Sequence, residues 1–254
     1  MGFPERKKKI LQALEDAGDM EVQALSGQLG ISAVTIRRDL QQLAEEGLLV
    51  RTHGGAMKME SGPAFPGFVE KAGAASAEKQ YIGELAASLV KPGDTIFMDC
   101  GSTVFCMCAH LKQVPGLRII TNSLPVLAAL MEVAGVEVNL VGGEVDRERK
   151  AMHGLKAIQH IESYHADKAF IGVDGLSVNK GLTAYSEKEA SISRAMSSNA
   201  NRVYLLCDAS KIGKDSYLKF APLSMFDHLI TDKGISKQQK RALEKAGVSL
   251  INAI

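Results

Sequence analysis

The chain has 254 residues, with 30 Lys and Arg against 29 Asp and Glu, a formal net charge of +1 and 46% hydrophobic residues. This composition excludes wholesale disorder, and the charge balance means that any DNA-binding surface must come from local focusing of basic residues. No apolar run approaches the ~18 residues of a membrane span, and the N-terminus lacks the apolar stretch of a secretory signal, so a soluble cytoplasmic protein is expected.

The N-terminal elements read as helices. Pro4 suits a first helical turn, Glu5 complements its positive end, and Ile10, Leu11 and Leu14 form an apolar stripe that Gly18 terminates. A second short helix buries Val22, Leu25 and Leu29 and ends at Gly30. Ser32 is placed to cap a third helix whose apolar face is Ile36, Leu40 and Leu43, and Gly47 stops it. Leu48–Thr52 is β-prone, and His53-Gly54-Gly55 makes a turn that can return as a second strand. Three helices and a small hairpin make a winged helix-turn-helix. The outer face of the third helix carries Thr35, Arg38 and Gln42, with Arg37 and Gln41 on its flank. These side chains suit phosphates and base edges, and they sit toward the end that enters a major groove. Arg51 and His53 on the hairpin suit a wing. The predicted DNA-binding set is Ser32, Thr35, Arg37, Arg38, Gln42, Arg51 and His53, within a domain of residues 1–57.

The run Thr35-Ile36-Arg37-Arg38-Asp39-Leu40 followed by His53-Gly54-Gly55-Ala56 resembles the DeoR family of bacterial sugar-metabolism regulators, and the resemblance extends over nearly the whole chain. It implies operator DNA as a partner, a dimer or tetramer, and control by a small metabolite.

Residues 58–77 hold prolines, glycines and small residues without sustained period and read as a linker. From residue 78 onward, apolar runs alternate with amphipathic stretches. Strands are expected at 95–99, 117–121, 136–141, 169–173, 203–208, 228–231 and 248–251, and helices at 79–90, 104–111, 124–133, 187–200 and 237–246. The pattern predicts an α/β domain with a mostly parallel sheet covered on both faces. Ligands then bind outside the carboxyl ends of the strands. Those ends carry Asp99 to Thr103, Thr121-Asn122-Ser123, Gly142-Gly143, Gly172 to Gly175 and Asp208 to Lys211.

The chemistry there favours a small, hydroxylated, anionic ligand. Gly101, Ser102 and Thr103 lie at a strand-to-helix junction where free N–H groups and a helix dipole can hold a phosphate, although Ser102 and Thr103 equally suit ordinary capping. Lys211 adds positive charge, and Asp99, Asn122, Asp174 and Glu189 suit sugar hydroxyls. The family resemblance implies an isomerase-like sensor fold, similar to ribose-5-phosphate isomerase. It also implies a pocket that includes Asp99 to Thr103, Thr121-Asn122, Gly142-Gly143 and Asp208 to Lys211. After the glycine pair the family usually continues with basic residues, whereas here the chain reads Glu144-Val145-Asp146-Arg147. The predicted effector set is Asp99, Gly101, Ser102, Thr103, Asn122, Gly142, Gly143, Asp174, Gly175, Glu189 and Lys211.

A carboxylate, a lysine and a phosphate loop also suit an isomerase, which is the alternative reading. A fused DNA-reading domain favours a regulator instead. No cofactor is expected: there is no Walker A or G-x-G-x-x-G pattern, and Cys100, Cys106, Cys108 and Cys207 lack zinc-ligand spacing and read as small buried hydrophobes. The run from Asp146 to Lys150 reads as a solvated loop.

Overall fold

The computed structural model describes residues 2–45, 49–52, 54–58, 68, 71 and 76–251. The chain divides into two compact units, Met1–Ala64 and Phe65–Ile254. The expectations placed on Gly47, Leu48 and His53, and on most of the 58–77 linker, fall outside the described residues. Among the described residues no helix is long and apolar enough to cross a membrane.

The first unit runs α1 (Phe3–Ala17), β1 (Asp19–Glu21), α2 (Val22–Leu29), α3 (Ala33–Glu45), β2 (Leu49–Arg51) and β3 (Gly55–Lys58). Its core gathers one stripe from each helix: Ile10 and Leu14, Val22 and Leu25, and Ile36, Leu40 and Leu43, closed by Leu49 and Ala56. Full burial of each of the larger side chains contributes about 1.5–3 kcal/mol. The hairpin acquires a third strand that periodicity did not announce, because three residues are too few to show a period. β1 pairs with β3 on the side away from β2, giving an antiparallel sheet of order β1-β3-β2. Gly55 makes this possible: a Cβ there would stand 2.1 Å from the Met20 carbonyl oxygen. The neighbouring Gly54 carbonyl accepts the Val22 N–H at 2.9 Å, tying the turn to the start of α2. Gly54 and Gly55 are therefore structural members of their motif.

The second unit is built on seven parallel strands, in spatial order β15-β14-β12-β9-β4-β5-β6. These are β4 (Thr95–Met98), β5 (Leu117–Thr121), β6 (Val136–Leu140), β9 (Ala166–Gly172), β12 (Ala200–Leu206), β14 (His228–Ile230) and β15 (Ser249–Ile251). Each lies where an apolar run predicted it. The helices are α4 (Ser76–Ala87), α5 (Ser102–Phe105), α6 (Cys108–Leu111), α7 (Leu124–Leu130), α8 (Leu155–Glu162), α9 (Glu187–Ser198) and α10 (Lys237–Lys245). Side chains alternate along each central strand between two separate cores. Phe97, Ala169, Ile171, Val203 and Leu205 pack with α8 and α9, whereas Ile96, Met98, Phe170, Tyr204 and Leu206 pack with α4 to α7. That alternation is why the strands read as continuous apolar runs.

Helix α8 was not foreseen, and neither were two smaller pieces. One is the hairpin of β7 (Glu144–Asp146) and β8 (Ala151–His153). The other is a three-stranded antiparallel sheet of β10 (Gly175–Ser177), β11 (Gly181–Ala184) and β13 (Leu218–Ala221). The chain builds β4, β5 and β6 in one direction, then returns to place β9 beside β4 and continues the other way. The strand order therefore reverses between β4 and β9, which opens a crevice beyond their carboxyl ends.

Candidate functional site

In the first unit, α3 sorts its motif residues by face. Ile36 and Leu40 are fully buried. Asp39 is buried and accepts two bonds from Arg6 of α1, at 2.6 and 2.9 Å, which clamps α1 to α3. Ser32 caps α3, its Oγ accepting the Thr35 N–H at 3.3 Å and pairing with the Thr35 hydroxyl at 2.9 Å. Arg37, Arg38 and Gln42 are exposed, and Val34 is 74% exposed beside them. Arg51, exposed on β2, donates to Gln41 Oε1 at 2.9 Å and so joins the hairpin to the same helix. The face left to solvent presents guanidinium and amide groups along the middle of α3, the chemistry of major-groove reading.

In the second unit, the crevice between β4 and β9 is a pocket. Asp99, directly after β4, is buried, and its two oxygens accept the N–H groups of Gly101 at 2.7 Å and Gly172 at 2.6 Å. One carboxylate thus ties the ends of the two strands where the order reverses. Burial pushes its pKa up to about 6 against the pull of those two N–H groups. Asp174, beyond β9, accepts Lys71 Nζ at 2.6 Å and the Tyr185 N–H at 3.1 Å. Burial opposes its ionisation, but the charge and hydrogen bond of Lys71 prevail and hold its pKa below the usual carboxylate value. Glu189, in the first turn of α9, meets Arg149 Nε at 2.9 Å. Burial raises its pKa to about 7 despite the charges of Lys71 and Arg149. Lys211, from the turn after β12, donates to the Val173 carbonyl at 3.0 Å and lies 3.6 Å from Asp208.

Asp99, Gly101, Ser102, Thr103, Asp174, Glu189 and Lys211 line this one pocket together with Lys71 and Cys100. Asn122, Gly142, Gly143 and Gly175 do not. Asn122 is fully buried behind it, donating to the Met152 carbonyl at 3.1 Å. The Gly142 N–H is taken by His160 Nδ1 at 3.2 Å. Gly143 admits the close return of the β7–β8 hairpin, since a Cβ there would stand 2.4 Å from the His153 carbonyl oxygen. A Cβ on Gly175 would stand 2.6 Å from the Lys214 carbonyl oxygen, so that residue serves a backbone approach as well. The helix beginning at Ser102 is a single turn of four residues. It offers free N–H groups but little macrodipole, so positive charge at the pocket comes from lysines instead.

Sequence reasoning missed Lys71 and Arg149. Lys71 lies in the stretch read as linker, where no periodicity marks it. Arg149 belongs to the run read as a solvated loop. Arg147 of that run is exposed, but Arg149 is buried because Glu189, forty residues on, supplies its counter-charge.

Comparison with known proteins agrees with this division. Residues 6–61 match the DeoR-like helix-turn-helix domain and residues 74–233 the DeoR C terminal sensor domain. The chain is similar to the HTH-type transcriptional repressor GlcR of Bacillus subtilis (strain 168), 34% identical over 97% of this chain and 95% of that one. It is also similar to the lactose phosphotransferase system repressor of Lactococcus lactis subsp. lactis, 36% identical over 94% of each. Ribose 5-phosphate isomerase A from Methanocaldococcus jannaschii aligns with 54% of this chain and 55% of that one at 19% identity and a TM-score of 0.41, which carries no functional argument. The chain belongs to the DeoR family of transcriptional regulators, with a DNA-binding domain followed by a sensor domain for a small molecule. It is a regulator rather than an enzyme, and the isomerase alternative is not favoured.

Proposed function

We propose that this protein represses a carbohydrate-utilisation operon in the cytoplasm and is released from its operator by a phosphorylated sugar or related metabolite. Residues 1–57 read the operator, with Thr35, Arg37, Arg38 and Gln42 of α3 and Arg51 of the hairpin in contact with DNA. Residues 78–254 sense the effector, and 58–77 join the two. A homodimer or tetramer supplies the two-fold symmetry of a paired half-site. The names of the relatives support the regulatory side of this reading. The observation that carries the effector is the pocket at the strand-order reversal, where Asp99, Asp174 and Glu189, acceptors for sugar hydroxyls, converge with Lys211 and the hydroxyls of Ser102 and Thr103.

The ligand shifts the protein between DNA-competent and released states only through a difference in its affinity for the two. Thermal melting in the presence of hexose and pentose monophosphates, their parent sugars and inorganic phosphate tests the ligand class. A ligand at a hundred times its Kd stabilises the fold by about 2.7 kcal/mol. The same ligand should weaken operator binding in a mobility-shift assay. A protein stabilised by none of these compounds would refute the effector assignment.

A further inference from the structure

Lys71 stands apart from the other residues of the pocket. The rest come from strand ends, from α5 and α9, and from the small sheet, whereas Lys71 precedes α4 and lies seven residues beyond Ala64, the last residue of the DNA-reading unit. It is held at both ends. Its ammonium donates to Asp174 at 2.6 Å, in a pair whose side chains are 18% and 8% exposed. Its carbonyl accepts the ammonium of Lys79, a buried lysine on α4. Burial, and then the positive charge of Lys211, lower the pKa of Lys79. Three ammonium groups thus converge near one pocket, and the carboxylate facing Lys71 is also bonded to the Tyr185 N–H.

Lys71 and Asp174 both line the pocket, so a ligand that fills it meets the pair directly. Exchange of the Lys71–Asp174 pair is the rearrangement the geometry provides: an entering anion takes the Lys71 ammonium, and a sugar hydroxyl replaces it on Asp174. Lys71 keeps a negative partner, and Asp174 stays hydrogen-bonded to the hydroxyl and to the Tyr185 N–H, so neither charge is left without a polar partner. We propose that Lys71 is an anion-binding residue of the effector pocket, contributed by the segment that joins the two domains, and that its exchange between Asp174 and the ligand is the tie through which occupancy reaches that segment. The proposal rests on reading this pocket as the effector site.

The test compares the full-length wild-type protein with Lys71→Met, which keeps the apolar stem and removes the charge, and with Lys71→Arg. Binding of hexose monophosphates and of their parent sugars is measured by calorimetry, and operator release by mobility shift. Lys71→Met should weaken the phosphate ester at least ~tenfold and the parent sugar less than ~threefold, and Lys71→Arg should stay within ~threefold of wild type for both. At ester concentrations that saturate Lys71→Met, operator release should remain incomplete. Wild-type affinity for the ester in Lys71→Met, or complete release at its saturation, would overturn the proposal while leaving the effector site standing. If no ester binds the wild-type protein, the effector reading fails and Lys71 falls with it. Lys71→Gln takes the place of Lys71→Met if the latter does not melt cooperatively.

Discussion

The two units place their functional groups in opposite ways. In the first, the groups proposed to face DNA are mostly exposed side chains of α3, joined by Arg51 of the hairpin, and the buried polar group beneath them, Asp39, is satisfied by Arg6 from a neighbouring helix. In the second, the proposed ligand groups are one buried carboxylate, Asp99, with half-buried carboxylates and lysines drawn from strand ends, a helix and the segment before α4. An exposed face takes its geometry from its own helix, and its residues can change with little effect on folding. A pocket of largely enclosed charges is bound up with stability, so residues proposed to meet the ligand also hold the architecture. Asp99 is the clearest case, since it fastens β4 to β9 and lines the cavity.

This contrast is open to direct tests. The largest effect is expected where the exposed face meets its own core. Leu40, fully buried beneath Arg37 and Arg38, should cost about 2–5 kcal/mol when replaced by Ala. Operator binding should be lost in Leu40→Ala while calorimetric binding of the ligand survives. Loss of both would show that the two units do not respond separately.

A second test uses pH. The folded pKa values of Asp99, about 6, and Glu189, about 7, lie above their ordinary values of 3.8 and 4.5, so the folded sensor retains protons that the unfolded chain has released. These groups therefore contribute stability that is full below about pH 4 and is lost as the pH rises to about 7. For Asp99 the effect is on the order of 3 kcal/mol. Asp174, whose pKa is lowered, acts the other way, losing its contribution as the pH falls below the ordinary carboxylate range. The sensor's melting temperature should therefore fall between about pH 4 and about pH 7. Glu189→Gln should flatten the upper part of that profile, and an unchanged profile in this variant would contradict the assignment.

Third, Lys211→Ala should weaken ligand binding by about 1.5–3 kcal/mol and leave operator binding intact, giving a repressor that responds poorly. Equal ligand affinity by calorimetry would remove Lys211 from the site. Fourth, Arg38→Ala should weaken operator binding by about 1–3 kcal/mol with no change in melting temperature, as expected of an exposed side chain. A folded Arg37→Ala/Arg38→Ala protein that binds its operator as well as wild type would show that α3 is not the reading helix. The smallest effect is that of Ser32→Ala, which removes the cap of α3 and should cost about 1 kcal/mol of stability in thermal melting.

Much of this molecule was legible before any coordinates. Helical stripes located the three helices of the first unit and its buried Ile36, Leu40 and Leu43, and apolar runs located all seven strands of the parallel sheet. Both signals are local: a residue's face follows from its spacing to neighbours three, four or two positions away. Tertiary structure decided what depends on distant partners. Asp39 reads as a helix-surface carboxylate until Arg6 reaches it, and Arg149 reads as a loop residue until Glu189 buries it. Gly142, Gly143 and Gly175 occupy strand-end positions that suit ligands, yet the first has its N–H taken by a histidine and the other two are closed over by returning backbone. Lys71 lies in a stretch with no period at all, and only the fold brings it within 2.6 Å of Asp174, more than a hundred residues on. The sequence by itself determined which segments form elements and which faces they bury, because those follow from periodicity. Which charges pair across the chain was decided by the packing of the elements, because burial makes an unpaired charge too costly to keep.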